Sequence, residues 1–297
     1  MNLRNFVLIG IILLVIGVAG AGFMIGNSDR ASFLSFGTVK IDKTKSIDAA
    51  DMSKLKLDTG SMNVELVKLP DSETIVASLT GRASKKYSNQ IDVRLSGRDG
   101  TITVEGIQQH GFTFGISIVD VKLRLALPER VYDSIELKLG SGNVDAEGIR
   151  ANELLIQVGS GSIELSDMEA SKTELHSGSG KVEAEDSRLG ELTANLNSGD
   201  IKLENVQGSL KAETGSGSIK IELQNLASPI EARTSSGSIR IASDTLPDSA
   251  SVRYSTGSGQ FHNNWGGSER DGELVIGSGS VPVRLSTGSG NITLEKG

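Results

Sequence analysis

The chain has 297 residues, a mean hydropathy of −0.11 and a formal net charge of −7. Acidic and basic residues are interleaved, so no basic stripe offers a nucleic-acid-binding surface. Cysteine is absent, which excludes disulfides, thiolate metal sites, cysteine nucleophiles and a lipoprotein anchor. With 36 glycines and only 5 prolines, the composition indicates a folded chain with many tight turns.

An uncharged apolar segment, FVLIGIILLVIGVAGAGFMIG, occupies residues 6–26. A helix of this length spans about 30 Å of hydrocarbon, so we predict a transmembrane anchor. It follows a cytoplasmic tail, residues 1–5, and precedes a polar tether, residues 27–46. The alternative is a signal peptide cleaved at Ala19-Gly20-Ala21. Both interpretations place the remaining chain outside the cytoplasm if the N-terminus stays inside.

Residues 47–139 are expected to form a β-rich N-terminal part. LKLDTGSMNVELV, residues 55–67, looks like a degenerate copy of the repeat that dominates the rest of the chain. Further on, two alternating runs flank Asp99-Gly100, a pair that favours a hairpin turn. GIQQHGFTFGISIV, residues 106–119, places Phe112 and Phe114 either in a binding patch or in a lid over one end of the fold.

A Gly-Ser-Gly motif with variants recurs through residues 140–297. Its second glycine, or the aligned equivalent, falls at Gly142, Gly161, Gly180, Gly199, Gly217, Gly237, Gly259 and Gly279. The spacings are 19, 19, 19, 18, 20, 22 and 20 residues, and a last copy at Gly290 follows after only 11. Apolar and polar residues alternate after each corner, as in IKI at residues 219–221, which is the period of a strand with one buried face.

Each repeat is therefore predicted to form two short strands and two turns. Two architectures can be built from such a unit. In a β-solenoid, each strand stacks on its counterpart one repeat later; in an antiparallel meander, the two strands of one repeat pair as a hairpin. We expect the solenoid, with about eight rungs, because like-on-like stacking explains why the same corner keeps returning.

The glycine corners do not match known catalytic or nucleotide-binding motifs. A phosphate-binding loop needs a lysine and a following helix, whereas these corners lead into strands. Ser179 lies directly between Gly178 and Gly180, which is not the Gly-x-Ser-x-Gly spacing of a nucleophile elbow. We expect the corners to be architectural, with no cofactor and no catalytic residue.

Carboxylate pairs such as Glu183 with Glu185, and Asp145 with Glu147, share one strand face, an arrangement that glycosidases use. A solvated acidic face shows the same pattern, and aromatic residues for sugar stacking make up only 4%. The histidines have no neighbours at metal-ligand spacing: His110, His176 and His262. The residues after the corners also depart from the calcium-binding Gly-Gly-x-Gly-x-Asp series, so we expect no metal site.

QFHNNWGGSERDGE, residues 260–273, holds the only tryptophan and is the best candidate contact region. The predicted contact surface consists of His262, Asn263, Asn264 and Trp265. The alternative is that Phe261 and Trp265 form a cap, because a stack of repeats must cover its last apolar layer.

Three stretches resemble the bacterial putative adhesin family over about residues 47–297. They are VKLRLALPERVYDSIELKLGSGNVDAEGI at 121–149, the successive GSGSI units, and the closing IGSGSVPVRLSTGSGNITLEKG. This family is a domain of unknown function found in LiaG-like membrane-anchored proteins of Gram-positive bacteria. The resemblance implies a right-handed parallel β-helix behind the anchor.

The expected function is that of a membrane-tethered, extracytoplasmic binding or structural module of the cell envelope. Its expected partners are cell-wall polymer, another envelope protein or an external surface. One alternative is an accessory or sensor protein of an envelope-stress pathway. A second, less favoured alternative is a polysaccharide-active β-helix enzyme.

Overall fold

The computed structural model describes residues 37–108 and 119–297, which form two large β-sheets. Sheet A contains β1 (Thr38–Asp48), β3 (Asn63–Leu69), β4 (Thr74–Ser84), β7 (Val119–Pro128), β9 (Val144–Glu147), β11 (Ile163–Ser166), β13 (Val182–Glu185), β15 (Ile201–Glu204), β17 (Ile219–Leu223), β19 (Ile239–Ser243), β21 (Phe261–Asn263) and β25 (Ile292–Lys296). Sheet B contains β2 (Lys54–Ser61), β5 (Ile91–Arg98), β6 (Thr101–Gln108), β8 (Val131–Ser141), β10 (Arg150–Ser160), β12 (Glu169–Ser179), β14 (Arg188–Ser198), β16 (Gln207–Ser216), β18 (Ile230–Ser236), β20 (Ala250–Ser258), β22 (Ser268–Arg270), β23 (Glu273–Ile276) and β24 (Val281–Ser289). A 3-10 turn, Ser88–Gln90, precedes β5.

In these two ranges, no helix is both long and apolar enough to cross a bilayer. The predicted anchor, residues 6–26, lies outside the described residues, and so do His110, Phe112 and Phe114.

Most of the described chain forms a parallel β-solenoid. Each layer contains one strand of sheet B and one of sheet A, and the strands of successive layers run parallel. Ile156 is paired with Leu175, and Leu175 with Ala194, a register of 19 residues. This pairing excludes the antiparallel meander for the repeats, and the all-β solenoid prediction is confirmed. The right-handed sense of the coil stays a prediction.

Ten parallel strands follow one another in each sheet, so the described residues form ten layers. Eight of these layers run from β8 and β9 onward, which agrees with the eight or so rungs predicted for the repeats. At 4.7–4.9 Å between neighbouring strands, the stack is about 43 Å long. LKLDTGSMNVELV forms β2 and β3, which confirms that this degenerate copy is a layer of its own. The layer of β6 and β7 lacks the motif and was not predicted.

Inward-facing aliphatic side chains fill the space between the two sheets. In β15, Ile201 and Leu203 are fully buried, whereas Lys202 and Glu204 between and after them are partly exposed. The same alternation in the other short strands stacks like on like in columns: Ile163, Val182, Ile201, Ile219 and Ile239 form one of them. Each such side chain contributes roughly 1.5–3 kcal/mol of hydrophobic stabilisation, against which the entropy of ordering the chain must be set.

A column of glycines forms the first corner, between each long strand and the short strand that follows. Gly217 has a φ of 140°, and a Cβ atom there would lie 2.1 Å from the carbonyl oxygen of Gly199 in the preceding layer. A side chain cannot be accommodated at that distance, so this corner requires glycine. The same contact recurs along the column: Gly142, Gly161, Gly180, Gly199, Gly217, Gly237, Gly290 and Gly259.

Side chains add two ladders of hydrogen bonds to this corner. Inward hydroxyls donate to the corner carbonyl of the preceding layer, as Thr234 does to Gly217 at 2.9 Å. The equivalent donors are Ser177, Thr214 and Thr287. After the corner, a side-chain oxygen accepts a bond from the next layer, as Asn143 Oδ1 does from the Ser162 N–H at 2.9 Å. Through these bonds, polar groups at the corner gain hydrogen-bond partners that strand pairing alone would not supply.

The second corner, between each short strand and the next long strand, has no strict need for glycine. Asp167, Asp186 and Asn205 occupy it with φ values of 52°, 47° and 52°, and Gly148 with 68°. Asp and Asn tolerate this left-handed conformation better than other side chains do. Asn205 also donates from its side-chain amide to Asp186 Oδ1 at 3.0 Å, which links two layers.

Stacking order departs from chain order at both ends. β24 lies between β18 and β20, and β25 lies between β19 and β21. The corner of this inserted layer is Gly290, whereas Gly279 lies in the turn between β23 and β24 and donates to Ile276 O at 3.1 Å. The prediction of Gly279 as a corner was therefore wrong, because the same Gly-Ser-Gly letters there form a turn. At the other end, β2 and β3 lie inside the layer of β6 and β7.

Antiparallel strands close the N-terminal end of the stack. β4 pairs with β7, and β1 pairs with β4 along its whole length. Lys43 and Lys45 of β1 donate to the carbonyl oxygens of Ile91 and Val93 on the edge strand β5, at 2.7 and 2.5 Å. These lysines occupy main-chain acceptors that would otherwise invite another strand.

Two sequence predictions concern this end. The predicted tether, residues 27–46, overlaps β1, so residues 38–46 belong to sheet A and not to a linker. The predicted hairpin turn is confirmed, because Asp99 and Gly100 join β5 to β6 with φ values of 51° and 73°.

Aromatic side chains close the C-terminal end. Tyr254 and Phe261 occupy inward positions of the last layer, and their rings stack with centroids 3.6 Å apart. Trp265 follows β21, has only 4% of its surface exposed, and donates from Nε1 to the carbonyl oxygen of Glu295 at 2.7 Å. These three rings cover the last apolar layer.

Replacing Gly217 by Val should destabilise the protein by about 2–4 kcal/mol, because the new Cβ collides with a main-chain carbonyl. Thermal unfolding of the full-length chain in detergent measures this. Two control variants, Lys220→Gln and Gly60→Ala, should stay within about 0.5 kcal/mol, since Lys220 is partly exposed and a Cβ at Gly60 meets nothing within 4 Å. A Gly217→Val melt that coincides with the parent would refute the corner constraint.

Replacing Trp265 by Ala should cost about 3–5 kcal/mol, as expected when a large ring leaves a packed core. Trp265→Phe should cost less, because it keeps much of the ring and loses mainly the bond to Glu295. Urea unfolding followed by circular dichroism measures both, with the exposed His262→Ala as control. Equal stability of Trp265→Ala and the parent would show that the ring is not a cap.

Candidate functional site

The predicted contact residues lie together at the C-terminal end of the stack. His262 and Asn264 are exposed, whereas Trp265 is buried. Asn263 is half-buried, accepts the Trp265 N–H at 2.9 Å and donates to Gly266 O at 3.0 Å. The structure thus turns the tryptophan ring inward and leaves His262 and Asn264 on the surface. A contact role for this group stays a prediction.

A charge cluster occupies the outer face of sheet A. The Lys202 ammonium lies 2.9, 3.0 and 2.8 Å from carboxylate oxygens of Glu183, Glu185 and Glu204. Hydrogen bonds from Lys181 and Lys202 lower the pKa of Glu183 to about 2. The hydrogen bonds that Lys202 donates to Glu204, Glu183 and Glu185 raise the pKa of Lys202 above its usual range.

This cluster decides what the Glu183 and Glu185 pair can do chemically. A carboxyl group with a pKa of about 2 is ionised at neutral pH and has no proton to donate, so Glu183 does not fit a general acid. Lys202 lies against both carboxylates, where a substrate would have to enter. Across the two described ranges, no three Asp, Glu or His side chains come together in a metal-binding group.

A groove crosses the strands on the outer face of sheet B. It has two parts, of 490 and 840 Å³, that share Asn195 and Asn197. We call it the axial groove. Its wall is an outward column of residues from successive layers: Asp58, Lys138, Gln157, His176, Asn195, Glu213, Arg233 and Ser286. Its floor is the next column toward the first corner: Gly140, Gly159, Gly178, Asn197, Gly215, Ser235 and Gly288.

The floor is exposed backbone because most of its residues lack a side chain. A Cβ atom on Gly159 would lie 2.5 Å from Gly140 O, and one on Gly178 would lie 2.3 Å from Gly159 O. Close stacking therefore favours glycine in this column, and the missing side chains leave a trough. An exposed column of serines follows at the corner: Ser141, Ser160, Ser179, Ser198, Ser216, Ser236 and Ser289.

The central part of the axial groove carries hydrogen-bonding groups that the protein does not use itself. The side-chain amides of Gln157, Asn195 and Asn197 have no hydrogen-bond partner among the described residues. Between Gln157 and Asn195 lies His176, whose Nε2 is 3.7 Å from a carboxylate oxygen of Glu174. Each amide offers both donors and an acceptor to a ligand.

The axial groove was not predicted from the sequence. A signal was nevertheless present, because Lys138, Gln157, His176 and Asn195 follow one another at intervals of 19 residues. Reading the outward positions as columns, rather than only the inward ones, would have brought these side chains together. The trough was not predicted, because the glycines that form its floor were interpreted only as part of the corner.

Known proteins resemble this chain in sequence family and in fold. A structure from Parabacteroides distasonis, described as a putative lipid binding protein, is 16% identical, with 86% of this chain and 96% of that chain covered and a TM-score of 0.50. A putative adhesin from Bacteroides fragilis is 15% identical, with coverage of 86% and 97% and a TM-score of 0.45. At this level of identity the first likeness shows the fold alone. No curated protein matches the chain.

The family model described as Toastrack DUF4097 matches residues 52–295, from the start of the solenoid to its last strand. This range is most of the chain, and it confirms the resemblance to an adhesin-like domain of unknown function. The chain belongs to the Toastrack DUF4097 family.

Proposed function

We propose that the protein is a membrane-tethered, extracytoplasmic module that binds components of the bacterial cell envelope. The observation that carries this proposal is the axial groove, a trough with amide side chains at its centre that crosses eight layers of the stack. Hydrogen-bonded strands on both sides of nearly every layer hold its wall residues in fixed register. A rigid, extended surface of this kind suits binding, because little side-chain and loop ordering is required when a ligand arrives.

The proposed location rests on the sequence. Residues 6–26 are apolar and uncharged over a length that spans a bilayer, and β1, which begins at Thr38, follows a short distance after them. An adhesin-like role agrees with the description of the Bacteroides fragilis protein and with the resemblance seen in the sequence.

Lipid binding, named for the Parabacteroides distasonis structure, is not carried over to this chain. The described residues expose three large apolar side chains, Val131 on β8, Leu246 in the loop before β20 and Val275 on β23. The space between the sheets is filled by buried aliphatic side chains. A lipid would need a continuous apolar surface, which these residues do not form.

Cysteine labelling in native cells tests the location. Because the chain has no cysteine, Ser209→Cys on the exposed face of sheet B introduces a single thiol. A membrane-impermeant maleimide should label this variant in intact cells, and intact mass should show the full-length chain in the membrane fraction. Asn2→Cys, as control, should react only after permeabilisation. Labelling of Ser209→Cys only after permeabilisation would refute the proposed function.

A further inference from the structure

The axial groove runs across the strands, which limits the kind of ligand that it can hold. All strands beneath it are paired on both sides within sheet B, so a ligand cannot bind there by adding a strand. The groove instead presents similar positions once per layer, at intervals of about 4.8 Å. An extended polymer that lies along the stack meets the same kind of contact repeatedly, which is the arrangement that a repeating ligand requires.

Charge decides which polymer fits. The middle of the groove is lined by no Asp, Glu, Lys or Arg, and amides are presented there by Gln157 and Asn195 of the wall and Asn197 of the floor. Toward the ends, Lys138 is paired with Glu136, and Arg233 lies 3.0 Å from Glu231. The cationic groups are therefore already neutralised, and the formal net charge of the chain is −7. A polyanion such as a phosphate-linked polymer or a nucleic acid finds no unpaired Lys or Arg among the residues that line the groove.

The chemistry of the groove matches hydroxyl groups. Free amides donate and accept at once, and the serine column beside the floor adds exposed hydroxyls along the same line. The glycine floor allows a bulky ring to approach the backbone closely. The hydroxyl groups at the edge of a sugar ring can donate to an amide oxygen and accept from an amide N–H. An uncharged sugar also brings no charge that would lose its hydration on binding.

We propose that the axial groove binds an uncharged polysaccharide in an extended conformation, through hydrogen bonds from Gln157, Asn195 and Asn197. This inference rests on the proposed function and specifies its ligand class. Recognition occurs along the edges of the sugars rather than by aromatic stacking, since the residues that line the groove include no Phe, Tyr or Trp.

Isothermal titration of the full-length protein tests the proposal. The probes are the uncharged hexasaccharides of N-acetylglucosamine and of β-1,4-linked glucose, with poly(glycerol phosphate) as the anionic comparison. A polyoxyethylene detergent is used, because sugar-headed detergents would compete for the groove. At least one uncharged hexasaccharide should bind, and its Kd should change less than about twofold between low and high salt, as expected without ionic contacts.

Matched variants locate the binding. Asn197→Trp fills the floor at a position that already carries a side chain, and it should weaken hexasaccharide binding at least about tenfold, which is 1.4 kcal/mol. Asn195→Asp, of nearly the same shape, should also weaken binding because it removes the donor. Ser209→Trp, on the same sheet but outside the groove, should bind like the parent. Circular dichroism confirms that each variant is folded.

The contrary outcomes separate this inference from the function on which it rests. If Asn197→Trp binds as tightly as the parent, the groove is not the site. If poly(glycerol phosphate) binds and neither hexasaccharide does, the ligand class is wrong, while an extracytoplasmic binding module remains. If neither probe binds but the protein sediments with isolated cell envelopes, the polysaccharide inference again fails alone. Labelling that places the solenoid inside the cell overturns both.

Discussion

The stack depends on how closely the backbones of successive layers approach each other at the glycine corner. Along this column a Cβ atom would lie only 1.6–2.2 Å from the carbonyl oxygen of the layer before it. Glycine removes the collision, and the close approach in turn allows each long strand to bend into a short one without losing its hydrogen bonds. Because glycine occupies the same corner position in successive layers, the aliphatic side chains that follow it lie in register. Their stacking then forms the core. The hydroxyl ladder represented by Thr234 strengthens a geometry that glycine has already made possible.

Since backbone contacts and inward side chains specify the fold, the outward positions are free to differ between the two sheets. On sheet A they carry ionic side chains that pair with one another, and Lys202 with its three carboxylates satisfies that face internally. On sheet B the amides of Gln157 and Asn195 are left without partners beside a floor that has few side chains. One scaffold thus presents a cluster closed by its own charges on sheet A and amides open to hydrogen bonding on sheet B. The difference arises from the outward residues alone.

Much of this architecture could be predicted from the sequence, because period-two alternation and a 19-residue repeat both report directly on stacked strands. The features that could not be predicted are those in which the same sequence motif adopts different structures at different positions. Gly279 and Gly290 share the Gly-Ser-Gly context, yet only Gly290 faces a neighbouring corner, and this depends on which layers are adjacent in space. The second corner escaped notice because Asp167, Asp186 and Asn205 replace glycine with residues that resemble ordinary surface side chains. The axial groove was missed for a related reason, since it is defined by side chains that are absent from its floor.

The insertion of β24 and β25 between earlier layers has a consequence for how the chain acquires its structure. From β8 and β9 to β18 and β19, the layers can form in the order in which they emerge during synthesis or export, each on the one before, through contacts only about one repeat apart. β20 and β21 cannot join them, because the place beside β18 and β19 belongs to strands that appear last. The aromatic cap and the hairpin of β22 and β23 can therefore pack on the stack only after β24 and β25 have paired with β18 and β19. Until then β18 and β19 are edge strands with unpaired backbone groups. They become covered only when the end of the chain has been made.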